Sequence, residues 1–422
     1  MLAKKYTRIA FGLLYLLLAV YFIKEAMGNG DFKVFLEAAK MLRNGENPYN
    51  KWIFVSEGNY CLYYYSPLWA TLLIPFSYLP NFVPNLLWLT LNFLLLLRCF
   101  RLMGNYLNLQ ELSQKKVFWI QFLCVVMTVR FLLYNFGMIQ MTVFLLWGIL
   151  EGLDLIRKGR FGLGGLLIAF VINVKILPIV ILPYLLYRAY YKGFLSSLFF
   201  LMVLLLLPSI YLGWSVNYIL LQDWWMVINP SNPEHTIETD LGVHSLTALI
   251  PNLLTETDGK LDLKRNLFNL DEYWALSISN AIRFSLVAFT IYFLSSLPFK
   301  KAKNAFYDFR AIAYIILLIP LIFPHQLKYA FTLILPACFY LLHFVFSQYA
   351  NRNQAIGKFR WVAILVFMGI GFVLMTLTTD GVIGRELSNI TQHYKTITWG
   401  ALFLIGALIL VKPNLQISED NE

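Results

Sequence analysis

Apolar residues along this chain come in long unbroken runs, separated by short charged clusters and two longer polar stretches. About 20 consecutive apolar residues cross a bilayer core, so runs of this kind predict membrane helices. They fall near 7–23, 82–102, 117–134, 139–156, 161–174, 176–187, 194–213, 273–298, 309–325, 327–347, 361–378 and 395–411. A further apolar stretch, Pro67 to Pro80, is bracketed by prolines and too short to cross comfortably, which predicts a re-entrant or interfacial helix. Period-two alternation, the mark of a membrane β-barrel, is missing. The expected fold class is an all-α polytopic membrane protein with about 12 transmembrane helices.

The pair 161–174 and 176–187 carries a finer expectation, because both runs are short and meet at Lys175 with Pro178 just beyond. Read as one continuous span, they would reverse every later loop and scatter the basic clusters to both sides. Read as a broken pair, and with Pro67 to Pro80 dipping in and returning, they put 20 of the 34 Lys and Arg on one side in short segments. Among these are Arg98, Lys115, Arg157, Lys158, Arg188, Lys192, Lys300, Lys301 and Arg310. The positive-inside rule then places that side, and both termini, in the cytoplasm. Lys4, Lys5 and Arg8 precede the first run without a small-residue cleavage site after it, which reads as a retained first helix.

Two long segments are left for the opposite face, 24–66 and 214–272. In the first, Phe32, Phe35, Leu36, Ala39 and Leu42 share one side of a helical register that opens at Asp31. The second holds nine acidic residues and starts with Trp214, Tyr218, Trp224 and Trp225, as interfacial anchors would. The expected organisation is one transmembrane domain over 1–412 and a polar cytoplasmic tail over 413–422.

Composition agrees: 59% of residues are hydrophobic and 14% charged, where soluble domains run about 45–50% and about 25%. The net charge of +11 follows from basic loops and implies no nucleic-acid partner. Cys61, Cys99, Cys124 and Cys338 form neither a disulfide framework nor a metal spacing. No phosphate-binding glycine loop, dinucleotide fingerprint or zinc-helix motif is present, so no nucleotide, metal or other cofactor is implied. An outward-facing enzyme of this kind must draw its activated substrate from the lipid phase.

The scarce polar residues inside or beside the apolar runs are the candidates for chemistry. Asp31 either caps the helix it opens or acts as a general base whose pKa is raised by partial desolvation. Lys175 interrupts an apolar run, where it either snorkels or supplies a fixed positive charge for an anion. Arg130, near the end of its span, has the planar fork that clamps phosphate, while Arg283 lies within another span as one half of a structural pair. His325 and Lys328 share a short turn and are candidate phosphate contacts. His244 and Ser245, where the acidic segment turns apolar again, are candidate donors or acceptors. In the topology set by the basic loops, Asp31, Asn135, Lys175, the 214–272 segment and His325 all fall on the outer face, as a site for a lipid-linked anion requires.

One run of motifs resembles the family 87 glycosyltransferases, polytopic enzymes of the GT-C fold. It comprises Asp31, Ala38-Ala39, Leu42, Gly45, Asn47-Pro48-Tyr49, Tyr63-Tyr64-Tyr65-Ser66-Pro67, Pro75 and Leu79-Pro80. Ser66 stands where the family commonly has the first proline of Tyr-x-Pro-Pro. Farther on, Gly137-Met138-Ile139-Gln140 resembles Gly-Gln-x-Asn, Lys175-Ile176-Leu177-Pro178 resembles Lys-x-x-Pro, and Gly242 to Leu246 resembles an Asn-x-Ser-Leu region with His244 substituted. The resemblance implies an enzyme that passes a hexose, typically mannose, from a polyprenyl phosphate donor to a lipid or glycan acceptor hydroxyl at the outer face of the cell membrane. It implies inversion at the sugar, Asp31 as general base, and Lys175, Arg130, His325 and Lys328 on the donor phosphate. Tyr49, Tyr64, Asn135, Gln140, His244 and Ser245 would contact substrate. A lipid-linked glycan polymerase or ligase is the alternative enzyme, and a transporter or flippase of lipid-linked sugars the alternative outside enzymology.

Overall fold

The computed structural model describes residues 16–28, 30–49, 51–56, 58–229, 232, 237–294, 297–302, 304–349 and 357–411. The first part of the 7–23 run, the basic residues Lys4, Lys5, Arg8, Lys303, Arg352 and Lys412, and the tail 413–422 lie outside the described residues. Within them the molecule is helical apart from one small hairpin, Ile53–Ser56 with Asn59–Cys61, whose tight turn holds Gly58 at φ +71°. It is an all-α polytopic membrane protein. Among the described residues, seven helices are long and apolar enough to cross a membrane: Phe82–Tyr106, Gln114–Gly137, Tyr191–Leu212, Glu272–Leu294, Ala305–Ile322, Lys328–Gln348 and Lys358–Leu377. Arg385–His393 and Thr396–Leu410 would add an eighth, bent by 63°. The predicted runs 139–156, 161–174 and 176–187 form shorter helices, among them Thr142–Arg157 and Phe161–Val174. Within the polar segment 214–272, Trp214–Ile228 and Leu246–Leu254 are helical.

Three neighbouring helices fix how the chain turns at Lys175. Thr142–Arg157 and Phe161–Val174 pack antiparallel through glycines, with Gly148 against Val171, Gly152 against Ile168 and Gly164 against Ile156. Phe161–Val174 and Tyr191–Leu206 instead run parallel. Lys192 lies over the Phe161 ring, Gly165 meets Ser196 and Ser197, and Ala169 packs with Leu204. Two parallel helices require the connection between them to travel back, so the short helices Leu177–Val180 and Ile181–Tyr187 return to the starting end. The break at Lys175, expected from the charge balance, is thus a reversal of the chain.

The returning end gathers the basic residues. Arg157 lies 3.9 Å from the Tyr106 ring, the buried Arg188 pairs with Asp308 at 2.9 Å, and Lys301 sits over Tyr190. Helix Thr142–Arg157 runs from there to the opposite end of the molecule. Its 16 residues at 1.5 Å each give a separation of about 24 Å.

Close helix approach at Gly165 yields a prediction. A Cβ there would stand 2.4 Å from Ser196 Oγ and 2.8 Å from the Ser197 backbone nitrogen. Gly165→Ala should cost about 1–3 kcal/mol through overpacking. Thermal unfolding in detergent checks this, and an unchanged melting temperature would contradict the parallel packing.

Candidate active site

Asp31 reaches its position through backbone docking. Its N–H donates to the Met138 carbonyl at 2.9 Å, and a Cβ on the preceding Gly30 would come within 2.8 Å of that oxygen and of Ile139. Only glycine allows this approach. The following helix, Phe32–Arg43, buries Phe32, Phe35, Leu36, Ala39 and Leu42, the face read from the sequence. Asp31 stands at the N-cap of this helix but makes no side-chain cap bond there. Its carboxylate instead accepts a 2.5 Å hydrogen bond from Gln140 Nε2.

Gln140 is held in turn by the bend between two helices, Gln114–Gly137 and Thr142–Arg157. Its N–H donates to the Asn135 carbonyl, and the Asn135 side chain accepts from Thr142 N. Tyr65 completes this corner, donating from its hydroxyl to Gln140 Oε1 at 3.4 Å. Ser66, which replaces a proline in the resembling motif, caps Pro67–Leu73 by accepting from Trp69 N, and donates to Asn173. A proline has no side chain that could do either.

Lys175 follows the last residue of Phe161–Val174 in an extended conformation. Its ammonium lies 5.3 Å from the Tyr65 ring centre and 5.6 Å from that of Tyr329, and among the described residues it makes no ion pair. Asp31, Gln140, Tyr65, Lys175, Arg283 and His325 all line one cavity of about 810 Å³. This cavity stands at the end of Thr142–Arg157 remote from the basic cluster. Burial raises the Asp31 pKa above its ordinary value, an effect opposed by the Gln140 hydrogen bond and by the Lys175 charge.

At the rim, His325 is tied to Glu238. The carboxylate accepts from the His325 backbone N–H at 2.6 Å and pairs with Nδ1 at 2.7 Å. It also accepts from Ser245 Oγ and Thr247 Oγ1. Despite its burial, these partners hold the Glu238 carboxyl below its ordinary pKa. His325 adopts φ +53°, a conformation that costs a non-glycine residue energy.

The structure brings together Asp31, Gln140, Tyr64, Lys175 and His325 of the residues expected from sequence. It does not bring the other six to the cavity wall. Arg130 Nη1 donates to the carbonyl of Met375 and to Thr378 Oγ1, so the guanidinium is turned toward those residues. Lys328 packs over the Tyr134 ring, which stacks with Tyr329. Tyr49 is buried and donates to the Tyr65 carbonyl, which makes it a support beneath the site. Asn135 shapes the bend, and Ser245 serves Glu238. His244 is fully buried, with a pKa well below its ordinary value through burial and the neighbouring Lys395, Lys328 and Arg130 charges.

Sequence reasoning missed Tyr65, Cys61, Tyr329 and Glu238 and assigned Arg283 to a structural pair. Tyr65 was visible in the tyrosine run, and the cost of an arginine inside a span marked Arg283. Nothing distinguished Glu238 from its acidic neighbours. Among the described residues, no group of three or more His, Cys, Asp or Glu is placed to hold a metal ion.

A half-buried carboxylate with an elevated pKa can take a proton from a hydroxyl, and nearby cations can stabilise a developing phosphate anion. The volume is that of a small-molecule site. Residues 63–249 match the model for glycosyltransferase family 87, which supports a polytopic membrane glycosyltransferase. The matched segment contains Tyr65, Gln140, Lys175 and Glu238. No curated relative and no solved structure matches the chain.

Cys61 reports on this geometry independently of activity. It lines the cavity, and burial together with the Asp31 charge pushes its thiol up to about 11, whereas Cys99, Cys124 and Cys338 are buried. Since the thiolate is the reactive form, maleimide labelling should accelerate as pH rises. Asp31→Asn removes one of the two causes, so labelling at a fixed pH near 8 should be faster in that variant. Equal rates would place the carboxylate away from Cys61.

Proposed function

We propose that this glycosyltransferase moves a hexose, with mannose the expected sugar, from a polyprenyl phosphate to a hydroxyl of a lipid or glycan acceptor. The reaction runs at the outer face of the cell membrane and inverts the sugar carbon in one displacement. As the acceptor oxygen bonds to the anomeric carbon, the carbon–oxygen bond to the phosphate breaks and its electron pair stays on the phosphate. The hydroxyl proton passes to Asp31. Lys175 offsets the charge that grows on the departing phosphate, and His325 stands at the rim as a further contact for it. The outer-face assignment rests on the basic residues gathered at the far end of the molecule, which the positive-inside rule puts in the cytoplasm.

The observation that carries this reading is the shared cavity of Asp31 and Lys175. They come from segments 144 positions apart in the chain, and the cavity gives a half-buried carboxylate and an ammonium that makes no ion pair among the described residues a common purpose. Burying Asp31 with a raised pKa lowers stability as pH climbs from the unfolded carboxylate range through the folded value. A cost kept at neutral pH is what a functional site displays.

Two outcomes test the base. Asp31→Asn should fold at least as well as wild type at neutral pH, yet lose about 10²–10⁴-fold in transfer from labelled polyprenyl-phosphate mannose. Turnover like wild type would remove Asp31 from the mechanism. Gln140→Leu deletes the hydrogen bond that holds the Asp31 pKa down. A base works deprotonated, so kcat/KM falls as pH drops through that pKa, and this acid limb should move to higher pH in Gln140→Leu. A limb that stays in place would mean another group sets it.

A further inference from the structure

The helix pair Arg385–His393 and Thr396–Leu410 takes no part in the proposed chemistry, yet its 63° bend reaches back to the outer segment. His393 Nε2 donates to the Leu263 carbonyl at 2.7 Å, and the Tyr394 hydroxyl to that of Lys264 at 3.1 Å. Lys395 Nζ donates to the Asp240 carbonyl at 2.5 Å, and Thr398 Oγ1 to that of His244 at 2.6 Å. Every acceptor is a main-chain oxygen, so these bonds fix the path of the backbone whatever side chains it carries. Lys395 is the costly member of the set. It is 1% exposed, makes no ion pair among the described residues, and adopts φ +53°, which costs a non-glycine residue energy. A buried ammonium also carries a desolvation cost that a hydroxyl tie, such as that of Thr398, avoids.

The backbone tied in this way is a wall of the cavity. Asp240, Val243, His325, Gln326 and Leu327 line it, whereas Lys395 and Thr398 stand outside. The two strands of chain in this wall are joined to each other. His244 N–H donates to the Gln326 carbonyl at 2.9 Å, Val243 pairs with Leu327, and Glu238 holds His325 through ring and backbone. Gly242 N–H donates to Asp240 Oδ1 at 2.6 Å, so the carboxylate of Asp240 and the carbonyl that Lys395 holds belong to one turn. Asp31 and Gln140 hang on different bonds, at Met138 and Asn135, which leaves the proposed base independent of the tie.

We infer that Lys395 is a positioning residue, which acts through the backbone of Asp240 to hold the wall that carries His325 against the substrate. It does so from a part of the chain beyond residues 63–249, the segment that the family model matches. This goes beyond the proposed function and rests on it only for the kinetic readout. The wall meets the donor before and during transfer alike, so loosening it should act on KM more than on kcat.

The test uses the full chain in nanodiscs, with amide hydrogen exchange measured beside transfer from labelled polyprenyl-phosphate mannose. Lys395→Met, which keeps the length of the side chain without its charge, should speed exchange across 238–246 about fivefold or more. It should raise KM for the donor about three- to tenfold, keep kcat within about threefold, and leave the acid limb set by Asp31 in place. Thr398→Val removes the second tie to this wall, so it should shift both readouts the same way, and it carries the test if Lys395→Met fails to fold. Tyr394→Phe deletes a bond from the same bend to Lys264, which does not line the cavity, and should change neither readout. Unchanged exchange or unchanged KM in Lys395→Met, or an equal rise of KM in Tyr394→Phe, would each overturn the assignment. Faster exchange confined to the wall, in a protein that transfers no mannose, would sink the proposed function and keep the wall's dependence on Lys395, so the two failures are distinguishable.

Discussion

Backbone N–H and C=O groups in a bilayer have no water to turn to, so a helix may break at depth only against protein or a polar cavity. The end of Phe161–Val174 is such a break, and the rest of the site follows from it. Parallel packing of Phe161–Val174 with Tyr191–Leu206 forces the intervening chain to double back, and small residues at Gly165, Ser196 and Ser197 allow the two helices to approach. The reversal leaves Lys175 extended at the end of its helix, with its ammonium over Tyr65 and Tyr329. A continuous helix would have buried the same lysine among apolar neighbours.

Asp31 shows how a carboxylate is kept usable in the same cavity. Burial alone would drive it toward the neutral acid, which cannot act as a base. One hydrogen bond from Gln140 and the Lys175 charge push the other way, so its proton affinity is a balance of opposing effects. Each opposing group is itself placed by tertiary structure, Gln140 by the bend after Gly137 and Lys175 by the chain reversal. The pKa of one residue therefore depends on three segments that meet only when the chain is folded.

This division also explains what could be read from the sequence. Long apolar runs gave the helices, because period and length suffice to recognise them, and the distribution of Lys and Arg was enough to identify the reversal at Lys175. Asp31, Gln140 and Lys175 were legible because each sits at the end or break of an apolar run, where polar residues are scarce. Arg130 and Lys328 were equally conspicuous but are turned toward Met375, Thr378 and Tyr134. A helix tells which residues it carries, while its rotation about its own axis is set by neighbours that the sequence does not name. The hairpin presenting Cys61, and Glu238 in an acidic segment, had no periodicity to reveal them.

Two strained residues near the site point to the same conclusion. Ile139 and His325 both adopt positive φ without being glycine, at a cost of about 1–3 kcal/mol each. Neither conformation is favoured locally, so each has to be held from outside. Ile139 follows directly on Met138, whose carbonyl accepts from Asp31, and precedes Gln140, whose side chain donates to the Asp31 carboxylate. His325 is gripped by Glu238 through both its backbone and its ring, while Val243 pairs with Leu327 just beyond. In both places a segment distant in sequence supplies the restraint, and the restrained residue adjoins a group that lines the cavity or lines it itself. The shape of the site is then a property of the assembled helices, and loosening either restraint would change the cavity before it changed the fold.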